Sequence, residues 1–125
     1  MTFLLDTHVL LWALSDPSRL TPKNRELIQD GRHVVFVSAV SVWEIAIKKA
    51  LGKLEAPEHL EAAMTACRFS PLSVSWAHAS AAGKLPRHHK DPFDRMLIAQ
   101  AQHEGLTLLT HDIRLKAYGS HITIV

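Results

Sequence analysis

Short apolar runs alternate along the chain with amphipathic stretches, and the two patterns belong to different secondary structures. The runs at 3–5, 34–37, 106–109 and 122–125, with a weaker one at 72–74, predict buried β-strands, because a parallel sheet covered on both faces reads as near-continuous hydrophobic segments. Helical signals fill the gaps. One helix opens at Thr7 or His8, and a second at Thr21-Pro22, with Thr as N-cap and Pro in the first turn. A third follows Ser41, where Trp43, Ile47, Leu51 and Leu54 recur at helical spacing with Gly52 inside the pattern. Pro57 opens the next and Ser75 caps the one after it. The clearest begins at Asp91-Pro92, where Phe93, Leu97, Ile98 and Ala101 form a stripe that ends at Gly105. Strands alternating with helices predict an α/β domain with a mainly parallel sheet.

Composition narrows this only at the edges. A chain of 125 residues, 47% hydrophobic and 21% charged, reads as one globular domain over 1–125 and excludes disordered, collagen-like and coiled-coil classes. The lone Cys67 cannot form an internal disulfide; it reads as a buried, inert thiol and fits a reducing compartment. The net charge of +2 permits an anionic partner but falls short of a dense basic patch. Asp6 and His8 interrupt the apolar opening and no Lys or Arg precedes it, unlike a signal peptide. No run reaches the roughly 20 apolar residues of a membrane span. These features place the protein in the cytoplasm.

The chemistry lies in where the acids fall, because open α/β sheets bind ligands outside the carboxyl ends of their strands. Asp6 directly follows the first strand, and Asp112 follows the fourth through Thr110 and His111. Glu44 lies at the start of the helix after the second strand, and Asp94 in the first turn of the helix opened by Pro92. Asp94 heads an apolar stripe, which is costly unless the carboxylate is paired, hydrogen-bonded or metal-bound. Each acid also has a structural reading. Ser41-x-x-Glu44 matches a capping box and Glu44 with Lys48 an i,i+4 pair. Asp91 is a natural N-cap, Asp94 suits a helix N-terminus, and Asp6 and Asp112 suit turns.

Four carboxylates converging on one sheet edge would repel one another unless a cation neutralised them. Oxygen ligands suit Mg²⁺ or Mn²⁺, and no Cys or His pair has zinc spacing. An ion held in this way can activate a water against a phosphodiester and stabilise the departing oxygen. The implied chemistry is metal-dependent phosphodiester hydrolysis.

Four segments carry a resemblance: Leu4-Leu5-Asp6-Thr7-His8; Val42-Trp43-Glu44-Ile45; His88-His89-Lys90-Asp91-Pro92-Phe93-Asp94-Arg95-Met96-Leu97-Ile98-Ala99-Gln100-Ala101; and Leu109-Thr110-His111-Asp112. In this order they resemble the PIN-domain ribonucleases, and among them the VapC-type toxins of type II toxin–antitoxin modules. The resemblance implies a PIN-like three-layer α/β/α sandwich around a mainly parallel five-stranded sheet of order 3-2-1-4-5. It further implies a Mg²⁺- or Mn²⁺-dependent endoribonuclease acting on structured RNA such as tRNA or rRNA, a homodimer, and a cognate VapB-type antitoxin. The family's acidic quartet falls on Asp6, Glu44, Asp94 and Asp112, with Asp6 and Asp94 as direct metal ligands and the other two completing the pocket. Thr7 and Thr110 match supporting positions, as turn residues or as hydroxyl donors, and Asp91 matches an acid found only in this branch.

Lys48, Lys49, Lys53, Arg87, His88, His89, Lys90 and Arg95 flank the inferred pocket and are candidate RNA phosphate contacts, with a solvated surface as the alternative. Neither His88 nor His89 is needed as general base. Trp12, Trp43 and Trp76 sit in apolar patterns and read as core. Leu10, Leu11 and Leu14, with the second helix and the helix after Pro57, are the candidate antitoxin-facing surface, with a place in the core as the equal alternative for the three leucines. Competing classes fail at the first strand: a phosphoacceptor receiver needs paired acids there, and a haloacid-dehalogenase-like phosphohydrolase needs Asp-x-Asp where His8 stands. The remaining rival is a non-catalytic PIN-like module that binds RNA or protein.

Overall fold

The computed structural model describes residues 1–125. Five strands form, β1 (Thr2–Leu5), β2 (Val34–Ser38), β3 (Ser70–Leu72), β4 (Thr107–Thr110) and β5 (Ile122–Ile124), with helices α1 (Thr7–Ser15), α2 (Pro22–Gln29), α3 (Ala39–Ala50), α4 (Leu60–Ala66), α5 (Trp76–Lys84) and α6 (Pro92–Glu104). Short 3₁₀ turns lie at Pro17–Arg19 and Ile113–Tyr118. The sheet order is β3-β2-β1-β4-β5 and every neighbouring pair is parallel, as the resemblance implied.

Alternation along the strands feeds two cores. Phe3 and Leu5 of β1, Val35 and Val37 of β2 and Leu109 of β4 pack on one face with Val9, Leu10 and Ile28. Leu4 and Leu108 face the other way and meet Leu97, Ile98 and Ala101 of α6. Each helix layer therefore covers one side of the sheet, which is why the strands read as unbroken apolar runs.

Several boundaries differ from the pattern-based expectation. Helix α3 starts two residues before Ser41: Ser38 is its N-cap, accepting from the Val40 amide, so the Ser41-x-x-Glu44 capping box does not form. Ser41 is instead buried within the helix. Nor is Gly52 a helix-interior residue. It follows the end of α3 at φ +69°, where the amides of Gly52 and Lys53 close back on the carbonyls of Lys49 and Lys48. Helix α4 begins at Leu60 rather than at Pro57, and β3 lies two residues before the expected 72–74, because Ser75 caps α5 and leaves Val74 in the exposed approach to it.

Burial differs as well. Trp43 is 61% and Trp76 95% exposed, and Cys67 is exposed, so none of the three belongs to the core. Leu10 does, whereas Leu11 and Leu14 are only partly buried. Helical spacing groups residues on a face without saying whether anything covers that face.

Candidate active site

The carboxyl ends of β1, β2 and β4 open on one edge of the sheet, and the helices that begin there bring their first turns to the same place. Asp6 leaves β1 and caps α1, its Oδ1 accepting from the Val9 amide at 2.9 Å. Its Oδ2 accepts from the Thr110 hydroxyl at the end of β4. The same Thr110 oxygen accepts from the Asp112 amide at 3.1 Å, so one hydroxyl ties two of the acids together. Thr7 does likewise from α1: its hydroxyl donates to Glu44 Oε1 at 2.5 Å, with Ser41 Oγ 3.3 Å away.

Glu44 is buried midway along α3, and its Oε2 receives Lys48 Nζ at 2.5 Å. Asp91 is the N-cap of α6, accepting from the Phe93 amide at 2.8 Å, and Asp94 follows one turn later with His89 Nε2 2.7 Å from its Oδ2. Asp112 caps the turn Ile113–Tyr118 and holds Arg114 in a fork, Nε at 3.0 Å and Nη2 at 2.7 Å. All four acids of the expected quartet, and Asp91, line one cleft of about 380 Å³. The capping and turn readings are thus correct for Asp6, Asp91 and Asp112, and they coexist with a place in the cleft.

The acids differ electrostatically. Burial pushes the Asp6 carboxyl above the ordinary aspartate range despite its hydrogen bonds to Thr110 and Val9. Burial, and after it the charge of Asp91, push Asp94 up to about 6, against the lowering effect of His89. Arg114 holds Asp112 below its ordinary value, and the Glu44 carboxylate holds Lys48 above its own. Loss of water thus penalises the charged forms of Asp6 and Asp94, while Glu44 and Asp112 have cations beside them.

The ion expected from the resemblance fits this donor set. Carboxylate oxygens dominate, as Mg²⁺ and Mn²⁺ prefer, and the two acids whose ionised form is penalised are those that gain most from a cation. Donor atoms of His89, Asp94 and Asp112 lie within 4.8 Å of one another, although Arg114 already occupies both oxygens of Asp112.

Among the basic candidates, Lys48 lines the cleft, while Lys49, Lys53, Arg87, His88 and Lys90 are exposed. His89 is turned inward onto Asp94. Arg95 needs correction: its guanidinium donates to the carbonyls of Ala82, Leu85 and Pro86 at 2.9 Å each, and it is spent on binding the end of α5 to α6 rather than free for phosphate. Sequence reasoning missed Arg114 altogether, and it did not place His8, Trp12 and His111 at the mouth of the cleft. The mouth is aromatic, with His8 stacked on Trp12 and His111 edge-on to the same ring. The first-strand motif carried a signal for His8, but an isolated Arg two residues after Asp112 carried none.

The sequence pattern of the PIN domain family matches residues 3–120. This chain belongs to that family. It is similar to ribonuclease VapC22 of Mycobacterium tuberculosis, 29% identical over 94% of this chain and 92% of that protein. It is also similar to ribonuclease VapC16 of the same organism, 44% identical over 62 residues, a match that spans 46% of this chain and only 44% of that protein. Among solved structures it resembles the crystal structure of VapBC2 from Rickettsia felis bound to a DNA fragment from their promoter, with TM-score 0.72, 17% identity and coverage of 100% of this chain and 98% of that one. At that identity the likeness speaks for the fold.

Proposed function

We propose that this chain is a metal-dependent endoribonuclease toxin of VapC type, a single domain over 1–125 that hydrolyses phosphodiester bonds of structured RNA such as tRNA or rRNA in the cytoplasm and is neutralised by a cognate VapB-type antitoxin. The observation that carries it is the convergence of Asp6, Glu44, Asp94 and Asp112 from four separate elements on one cleft. The names of the similar proteins support the ribonuclease and antitoxin parts. Homodimerisation follows from the same family reading.

In this reading Asp6 and Asp94 hold Mg²⁺ or Mn²⁺, and Glu44 and Asp112 complete the pocket. The ion supplies the positive charge that activates an attacking water and stabilises the departing oxygen. Thr7 and Thr110 fix the rotamers of Glu44 and Asp6 through the hydroxyl bonds described above. Asp91 holds the first turn of α6 in register, so Asp94 reaches the cleft from a rigid helix. Lys49, Lys53 and the exposed side chains of the 87–90 segment supply candidate phosphate contacts beside it. Leu11 and Leu14 remain candidates for the antitoxin-facing surface.

Purified protein free of antitoxin should cut total RNA into discrete fragments with Mn²⁺ or Mg²⁺ and stop doing so with EDTA. Asp94→Asn keeps the shape and removes the charge, so it should fold normally and lose about a hundredfold or more of that activity. A folded, metal-loaded native protein that cuts no RNA would favour the non-catalytic binding module, and an active Asp94→Asn protein would sink the site assignment.

A further inference from the structure

The cleft holds five carboxylates and two permanent cations, Lys48 and Arg114, so its ionised form carries three uncompensated negative charges. The cations are not shared evenly. Lys48 sits on Glu44 Oε2 at 2.5 Å, one turn along α3, while the other oxygen of Glu44 is taken by Thr7. Arg114 covers both oxygens of Asp112, at 3.0 and 2.7 Å. Asp6 has only neutral donors, the Val9 amide and the Thr110 hydroxyl, and Asp94 meets no Lys or Arg. The quartet is therefore divided into a pair held by permanent cations, Glu44 and Asp112, and a pair that has none, Asp6 and Asp94, the latter with His89 as its partner. A divalent ion at Glu44 or Asp112 would have to displace a permanent cation already hydrogen-bonded there, whereas one at Asp6 and Asp94 meets neither Lys48 nor Arg114 and only the His89 imidazole on one oxygen of Asp94.

We propose that Lys48 and Arg114 are resident counter-ions that stand where a second divalent ion would bind, so that the cleft takes one ion, at Asp6 and Asp94. This rests on the metal-nuclease reading and deepens it by giving the stoichiometry and the residues that set it. Both cations act through the carboxylates they hold, as positioning residues. Each also competes with metal at close range, where a unit charge strongly disfavours a second cation.

The test is calorimetric titration of the full chain with Mn²⁺ alone at low ionic strength and neutral pH. Native protein should bind one ion. Arg114→Gln should bind it about tenfold more tightly or take up a second ion, since a charge removed a few ångström away is worth about that much. Arg114→Lys, which keeps the charge, should behave as native, and Lys48→Gln should shift binding in the same direction as Arg114→Gln. The Arg114 side chain is 70% exposed, so its replacement leaves the core untouched, and that variant decides the matter if Lys48→Gln does not fold. Native protein that binds two ions, or an Arg114→Gln isotherm identical to native, would overturn the counter-ion role and leave the nuclease reading standing. Native protein that binds no Mn²⁺ would overturn both.

Discussion

Asp94 holds its place against two pressures, the loss of water around its carboxylate and the negative charge of Asp91 one turn before it. Asp91 can be relieved of its charge without losing its structural work, because Asn caps a helix about as well as Asp. Asp91→Asn should therefore leave α6 and the thermal midpoint nearly unchanged while the titration of Asp94, read by carboxyl-carbon NMR of metal-free protein, moves down from about 6. An unmoved Asp94 titration would assign the elevation to burial and the charge of Asp6 instead of Asp91. The same duality runs through the site: Asp6, Asp91 and Asp112 are each a cap and a cleft residue at once. The one-dimensional pattern gave the cap for Asp91 and turns for Asp6 and Asp112, and the folded sheet brings all three to one cleft.

At the scale of elements, Arg95 shows how a cation beside a site can belong to the scaffold. Its bonds to Ala82, Leu85 and Pro86 satisfy carbonyls at and just beyond the end of α5, the Ala82 carbonyl being shared with the Leu85 amide, and they pin α5 against α6. Arg95→Gln should cost about 2 kcal/mol in urea unfolding, as expected for charge-assisted hydrogen bonds, and leave the salt dependence of RNA binding unchanged. A slope reduced by about one unit would return Arg95 to the phosphate contacts. The elements most legible in the sequence were those with marked ends: α6 between Asp91-Pro92 and Gly105, and α2 at its start, behind Thr21-Pro22. The pattern misplaces helix α3 because Ser41, which heads a capping-box pattern, reads as its start, whereas the cap is Ser38. Ser38 is the last residue of β2 and has the extended backbone a cap requires.

For the whole molecule, the pair of acids without a permanent cation makes stability depend on pH and metal together. Asp94 is raised from 3.8 to about 6 on folding, so the folded state holds a proton that the unfolded state has released, and metal-free protein should lose stability as pH rises through that window. Asp6 shifts in the same direction. Bound Mn²⁺ removes the penalty, so the rise in melting temperature on adding it should be larger at neutral pH than near pH 5. Asp94→Asn should flatten both trends; if it leaves them unchanged, Asp94 is not the group responsible.

The parallel α/β class, the positions of four strands, the caps of α2, α5 and α6, and the four acids that line the cleft could all be read from the sequence. These depend on periodicity and on residue types that act locally, and a chain carries such information in one dimension. Exposure of Trp43, Trp76 and Cys67, the internal engagement of Arg95, the inward turn of His89 and the pairing of Arg114 with Asp112 were decided only in three dimensions. Each depends on which surface another element covers or which partner a long side chain reaches, and sequence spacing does not specify either. The acids were legible because their places are tied to strand ends; their charges were not, because the cations that set them arrive through side-chain packing.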